Sequence, residues 1–167
     1  MNIELRLVPL DEREILLNLL EKYEYEFSQY NNRDVNKLGL YAYPYLDYYW
    51  IEKNRWAYFI EVDGKLAGFV MVHTHPYKDT ETDFNLAEFF VMYAYRRSGI
   101  GKEAFFKTLD IHKGQWQLAY IPKNEPSAHF WHKAVDEYTK GEYELVKSHP
   151  NAKHIDGSLC DVFFFKS

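Results

Sequence analysis

One dipeptide constrains this chain more than any other feature. Asp63-Gly64 separates two runs rich in aromatic and β-branched residues, 56–62 and 66–75. Both central positions of the tightest hairpin turn need a left-handed backbone, which Asp and Gly tolerate best. The two runs therefore form an antiparallel pair, and the rest of the chain must supply a sheet around it.

The flanking patterns do so. Ile3, Leu5 and Leu7 alternate with polar residues, as a strand requires. Asp11 reads as a helix N-cap, with Glu14 completing a box-like pair and Leu10 stapling against Ile15. Apolar residues then recur at Ile15, Leu16, Leu19, Leu20, Tyr23 and Phe27, a helical stripe. Residues 28–44 read as loop, and 46–53 as a second, shorter helix. Residues 76–83 form a polar turn, 84–92 a strand, 102–112 a helix and 116–121 a strand. Asn124 caps a helix reaching about residue 138, with Pro126 tolerated in its first turn. Two last strands fall within 141–166. This order gives an α/β (α+β) fold, with one long mixed central sheet of six to seven strands and about four helices. No repeat or linker interrupts it, so residues 1–167 are expected to form a single domain.

Composition narrows the function. Twenty basic residues against twenty-five acidic ones leave a net charge of −5, the wrong sign for a general nucleic-acid binder. No run approaches the ~18 apolar residues of a membrane span. The start, Met1-Asn2-Ile3-Glu4-Leu5, lacks the basic and apolar stretch of a signal peptide. Cys160 is the single cysteine, so no intrachain disulfide forms and a reducing cytoplasm is expected.

The chemistry concentrates in Glu88-Phe89-Phe90-Val91-Met92-Tyr93-Ala94-Tyr95-Arg96-Arg97-Ser98-Gly99-Ile100-Gly101-Lys102. A strand leads through a loop with two glycines into a helix. The glycines let backbone approach an anion, and the helix start offers N–H groups and a positive dipole end. Arg96, Arg97 and Lys102 add full charges, which together describe a pyrophosphate cradle. A Walker loop is excluded, because Glu103 follows Gly101-Lys102 where Ser or Thr is required. Gly99, Gly101 and Ala104 match a dinucleotide fingerprint literally. That fingerprint should open the first βαβ unit of a larger parallel domain, which this chain lacks.

Arg96-Arg97-Ser98-Gly99-Ile100-Gly101 resembles the (Gln/Arg)-x-x-Gly-x-(Gly/Ala) acyl-CoA signature of the GNAT superfamily of N-acetyltransferases. Phe89-Phe90-Val91 resembles that family's fourth strand. Asn124-Glu125-Pro126-Ser127-Ala128-His129-Phe130-Trp131 resembles its second half, Asn-x-x-(Ser/Ala)-x-x-Phe-Tyr. The wording is nearest to diamine acetyltransferases, with two departures. Ala87 stands where those enzymes carry a catalytic Glu, and Trp131 where they carry a proton-donating Tyr.

The resemblance implies acetyl-CoA as co-substrate and no metal. The acceptor would be the primary amine of a small metabolite, attacking the thioester directly. Main chain over Phe90, Val91, Met92 and Tyr93 would bind the pantetheine arm, and a strand N–H there would stabilise the oxyanion. Amides of Arg97, Ser98, Gly99, Ile100, Gly101 and Lys102, with Arg96, would hold the pyrophosphate. Asn124 would reach the pantetheine, with Phe130 and Trp131 beside the coenzyme. Glu88 is the nearest carboxylate to serve as base, although strand alternation sets it on the face opposite Asn85, Ala87 and Phe89. Water or Asp83 is the alternative base. The resemblance places the acceptor pocket in this helix-and-loop region, where one of Tyr41, Tyr43, Tyr45, Tyr48 or Tyr49 is, beside water, a candidate to protonate the leaving thiolate. His73 with His75, and His129 with His132, are pairs without a third ligand, which a zinc site wants. Two other functions stay open at this level: a peptide or protein N-acetyltransferase, and an acyl-CoA-binding module without transfer activity. The oligomeric state is open too, a homodimer being common in the family.

Overall fold

The computed structural model describes residues 1–167. In chain order it contains β1 (Ile3–Leu7), α1 (Arg13–Asn31), α2 (Tyr48–Ile51), β2 (Arg55–Val62), β3 (Lys65–His73), β4 (Phe84–Val91), α3 (Ile100–Ile111), β5 (Gln115–Tyr120), α4 (Glu125–Thr139), β6 (Tyr143–Val146) and β7 (Asp161–Lys166). Short 3-10 turns stand at Leu10–Glu12 and Tyr93–Tyr95. The seven strands are hydrogen-bonded in the order β1-β2-β3-β4-β5-β7-β6. Strands β1 and β2, β5 and β7, and β6 and β7 pair antiparallel. Strand β4 pairs with β5 parallel, through Phe84–Trp116 and Asn85–Gln117 only. The mixed sheet and four helices are those the element order called for.

The chain divides into two compact units, Met1–Val72 with Glu88–Ala104, and His73–Ala87 with Phe105–Ser167. In the first, Asp63 (φ 49°) and Gly64 (φ 75°) adopt the left-handed turn their identities required. The register behind them runs from Ile3–Val62 to Leu7–Tyr58. Leu16, Leu19, Leu20 and Tyr23 of α1 are buried, as are Phe59, Ile60, Phe69 and Val70 of the strands. Each such side chain contributes about 1.5–3 kcal/mol. A Cβ at Gly68 would lie 1.9 Å from the Phe90 carbonyl oxygen, so β3 approaches β4 there only because position 68 is glycine.

In the second unit, Trp116, Phe105, Leu109, Leu118, Val162 and Phe163 form the core. Trp116 Nε1 donates to the His112 carbonyl at 3.0 Å, which satisfies its one polar atom. Asn124 caps α4 by accepting from Ser127 N–H at 3.2 Å, with Pro126 in the first turn.

Three local expectations need correction. Asp11 caps nothing, because the chain first makes a 3-10 turn. Glu12 then precedes α1 without a side-chain cap, and Leu10 and Ile15 are 62% and 42% exposed rather than stapled. Helix α1 continues to Asn31, and Asn32 (φ 52°) ends it in the left-handed region, so Asn31-Asn32 marks a helix end rather than loop interior. The second helix is a single turn, because Glu52 is already extended to feed β2. No helix is long and apolar enough to cross a membrane.

Candidate active site

Alternation along β4 turns Phe90 and Glu88 toward α1. Phe90 packs 5.8 Å from the Tyr23 ring, and Tyr23 in turn packs 5.6 Å from Phe69. That aromatic packing fixes the Tyr23 hydroxyl, which donates to Glu88 Oε2 at 2.5 Å. Tyr43, from the α1–α2 loop, donates to Glu88 Oε1 at 3.1 Å. Each carboxylate oxygen thus has one phenol.

Burial pushes the Glu88 carboxyl up to about 7, against the downward pull of the Tyr23 and Tyr43 hydrogen bonds and with the nearby charge of Glu24 adding to the rise. Burial and the facing Glu88 charge hold both tyrosines well above their ordinary range, so they remain donors. Tyr49, from α2, is buried, and its Oη has no hydrogen-bond partner. The site is therefore a carboxylate of near-neutral proton affinity, enclosed by phenols, with one polar atom unanswered. Such a group takes a proton from an ammonium at neutral pH.

Of the tyrosines named from sequence, Tyr43 and Tyr49 belong here, while Tyr45 and Tyr48 are 56% and 43% exposed. Tyr23 was not foreseen. It reads as one more member of an apolar stripe, and nothing in the sequence links it to a residue 65 positions away.

The glycine loop follows from the same strand. Arg97 (φ 63°) and Gly99 (φ 83°) are left-handed, and Ser98 Oγ donates to the Tyr95 carbonyl at 2.9 Å. Glu103 N–H bonds to the Gly99 carbonyl at 3.0 Å, which makes Gly99 the cap of α3. First-turn N–H groups have no acceptor within their own helix. A Cβ at Gly99 would meet nothing within 4 Å, so the backbone there faces open space. An anionic diphosphate fits this loop.

Arg96 is committed elsewhere. Its Nε donates to the Val91 carbonyl at 2.6 Å, and its two terminal nitrogens clasp Glu26 of α1 at 2.8 and 2.7 Å. The guanidinium also lies 4.2 Å from the centroid of Tyr93. Arg96 thus braces the loop against α1 through Glu26.

Asn124, Phe130 and Trp131 lie in the second unit. Asn124 Oδ1 is used as the α4 cap. Trp131 is buried at 5.2 Å from Phe105 and 4.7 Å from Phe130. Asp83 accepts from Gln115 N–H at 2.8 Å and so braces the start of β5. His73 meets Asn85 at 3.1 Å and accepts from His75 N–H through Nδ1 at 3.2 Å, and His132 meets the Tyr120 hydroxyl at 2.8 Å.

The model of the acetyltransferase (GNAT) family matches residues 16–135.

The chain belongs to the acetyltransferase (GNAT) family.

No curated protein matches it. Solved structures share the fold at low identity. One is the PaiA N-acetyltransferase of Thermoplasma acidophilum in complex with coenzyme A (14% identity, 100% of both chains, TM-score 0.61). A second is the diaminobutyrate acetyltransferase EctA of Paenibacillus lautus, with L-2,4-diaminobutyric acid and coenzyme A (14%, 99% of this chain and 95% of that one, 0.64). A third is the spermidine N-acetyltransferase of Vibrio cholerae, with CoA and spermine (13%, 98% and 95%, 0.65). Membership argues against reading Gly99, Gly101 and Ala104 as a dinucleotide fingerprint.

Proposed function

We propose that this GNAT enzyme transfers an acetyl group from acetyl-CoA to the primary amine of a small metabolite, with Glu88 as the base. The observation that carries the reading is the Glu88 carboxyl, brought to about 7 by burial while Tyr23 and Tyr43 donate to it. An amine arrives as an ammonium and must lose a proton before it can attack. Glu88 would take that proton; the freed nitrogen would attack the thioester carbonyl, the C–S bond would break with the coenzyme leaving as its thiolate, and the proton then lost from the acylated nitrogen would balance the thiolate's charge. Tyr49 Oη, buried without a partner, is the donor left for the acceptor's own polar atom. Two structural neighbours hold small amines beside coenzyme A, diaminobutyric acid in one and spermine in the other, which supports an amine of that class.

Acetyl-CoA supplies the activated acyl group. The main chain of Phe90 to Tyr93 would bind its pantetheine arm, and the amides of Arg97, Ser98, Gly99, Ile100, Gly101 and Lys102 would cradle its pyrophosphate. Asn124, Phe130 and Trp131 would lie along the coenzyme. The indole of Trp131 donates a hydrogen bond but does not protonate a thiolate, so water or a tyrosine would return that proton. The family match spans parts of both compact units, which supports residues 1–167 working as one transferase domain; the single cysteine fits a reducing cytoplasm.

Titration with acetyl-CoA, read by thermal shift with NAD as control, tests the coenzyme half. A hundredfold excess over Kd adds about 2.7 kcal/mol of stability. Gly101→Glu should abolish that gain, and a response to NAD alone would overturn the reading. Thiol release across a panel of primary amines then tests transfer.

A further inference from the structure

The α1–α2 loop is irregular, yet one of its peptide groups is gripped from both sides. Glu21 of α1 accepts from Tyr41 N–H through Oε2 and from Ala42 N–H through Oε1, each at 2.8 Å. Arg33 Nη2 donates to the Tyr41 carbonyl at 2.5 Å, while its Nη1 is anchored on buried Glu24 at 2.9 Å. The guanidinium also lies 5.8 Å from the centroid of the Tyr41 ring. Within this grip Ala42 adopts φ 60°, a left-handed backbone that an L side chain rarely takes unless its surroundings impose it. The next residue is Tyr43, whose hydroxyl reaches Glu88.

We propose that Glu21 and Arg33 are positioning residues, which lock the Tyr41–Ala42 peptide so that the Tyr43 hydroxyl stays on the Glu88 carboxylate. The two act through Tyr43 and touch neither the acceptor nor the coenzyme. The catalytic consequence rests on the reading of Glu88 as base, whereas the structural claim does not. A phenol on a carboxylate stabilises its charged form, so releasing Tyr43 raises the proton affinity of Glu88. The groups facing Glu88 are Tyr23 and Glu24 of α1, Tyr43 of the loop and Tyr49 of α2. Glu21 reaches this set in two ways, by holding Tyr43 and by its charge on Glu24; the double variant separates them, because only the route through Glu24 survives when Tyr43 is already phenylalanine.

The sign of the effect separates this mechanism from simple electrostatics. Deleting a nearby carboxylate lowers the proton affinity of Glu88, because a like charge is removed. Losing the Tyr43 hydrogen bond raises it. The experiment is a carbon-13 carboxyl NMR titration of Glu88 in the full chain, assigned by difference with Glu88→Gln. The parent is compared with Glu21→Ala, Tyr43→Phe and the double variant. Glu21→Ala should move the midpoint upward by about one pH unit, the size of one hydrogen bond to a carboxylate. Tyr43→Phe should match it, and the double variant should add nothing more. Glu21→Gln, whose amide oxygen can face one of the two N–H groups, should fall between.

A midpoint unchanged or lowered in Glu21→Ala, with Tyr43→Phe raising it, overturns the clamp. Alanine is the best helix former and Glu21 is only half-buried, so the variant should fold. Glu21→Gln supplies the same test if it does not. The ascending arm of kcat/KM against pH should follow the NMR midpoint, with the KM for acetyl-CoA unchanged. An NMR midpoint that moves while the rate profile stays still would sink Glu88 as base and leave the clamp standing.

Discussion

Strand β4 carries two polar residues three positions apart, and they meet opposite environments. Asn85 is buried in a network of neutral groups. Its Oδ1 accepts from Gln117 Nε2 at 3.1 Å, and Gln117 Oε1 accepts from Tyr77 N–H, Thr80 and Thr82 at 3.2, 3.3 and 3.0 Å. Gln117 also donates to the His75 carbonyl at 3.3 Å. This network fastens the turn before β4 and contains no carboxylate. Glu88 carries a full charge when ionised, has one donor per oxygen, and sits beside an unanswered phenol. A saturated neutral network stabilises a fold, whereas an undersupplied carboxylate changes its proton affinity and becomes reactive.

The sharpest way to break this comparison is Glu88→Gln. It should lower kcat/KM by about 10²–10⁴-fold and flatten the ascending pH arm near 7, because only the ionised carboxylate accepts the proton. A variant that keeps the parent's pH dependence would move Glu88 to the structural class. Gln117→Leu is the converse. It leaves the partners of a buried amide unsatisfied and should cost about 2–4 kcal/mol in denaturant melts. Its pH–rate profile should keep the parent's midpoint; a shifted midpoint would mean the two ends of β4 are not separate in role.

Smaller effects sharpen the same contrast. Glu26→Gln and Arg96→Ala should each loosen the brace between α1 and the glycine loop. A double-mutant cycle should give about 0.5–2 kcal/mol of coupling. If Arg96 instead contacts phosphate, Arg96→Ala will weaken acetyl-CoA in a salt-dependent way that Glu26→Gln does not reproduce. The smallest effect is on stability against pH. The folded-state proton affinity of Glu88 lies above its ordinary value of 4.5, so Glu88 favours the fold below that pH and loses this advantage as pH rises through about 7. Glu88→Gln should therefore raise Tm relative to the parent above pH 7, and the gain should vanish below 4.5. A gain independent of pH would place its origin outside this titration.

What could be read in advance divides along physical lines. Local rules fix the Asp63-Gly64 turn, the Asn124 cap and the alternation that separates Asn85 from Glu88, since each depends on one or two residues and their backbone preferences. The glycine loop and its family signature are local as well. Helix starts were less legible: Asp11 has the right side chain, but the 3-10 turn beside it decides where α1 begins. The ion pair of Arg96 was not legible, because a positive charge beside glycines suggests an anion, while its partner Glu26 lies 70 residues earlier.

The sequence by itself determined a mixed sheet, a glycine loop opening a helix, and a single strand carboxylate near it. Only the tertiary structure decided which of five clustered tyrosines reaches that carboxylate, that Tyr23 joins it, and that Glu21 and Arg33 hold the loop between. The reason is that a proton affinity is set by burial and by donors within about 3 Å, and the donors to Glu88 come from positions 23 and 43. Residue type and spacing carry backbone preference along the chain; they do not carry the environment that packing creates.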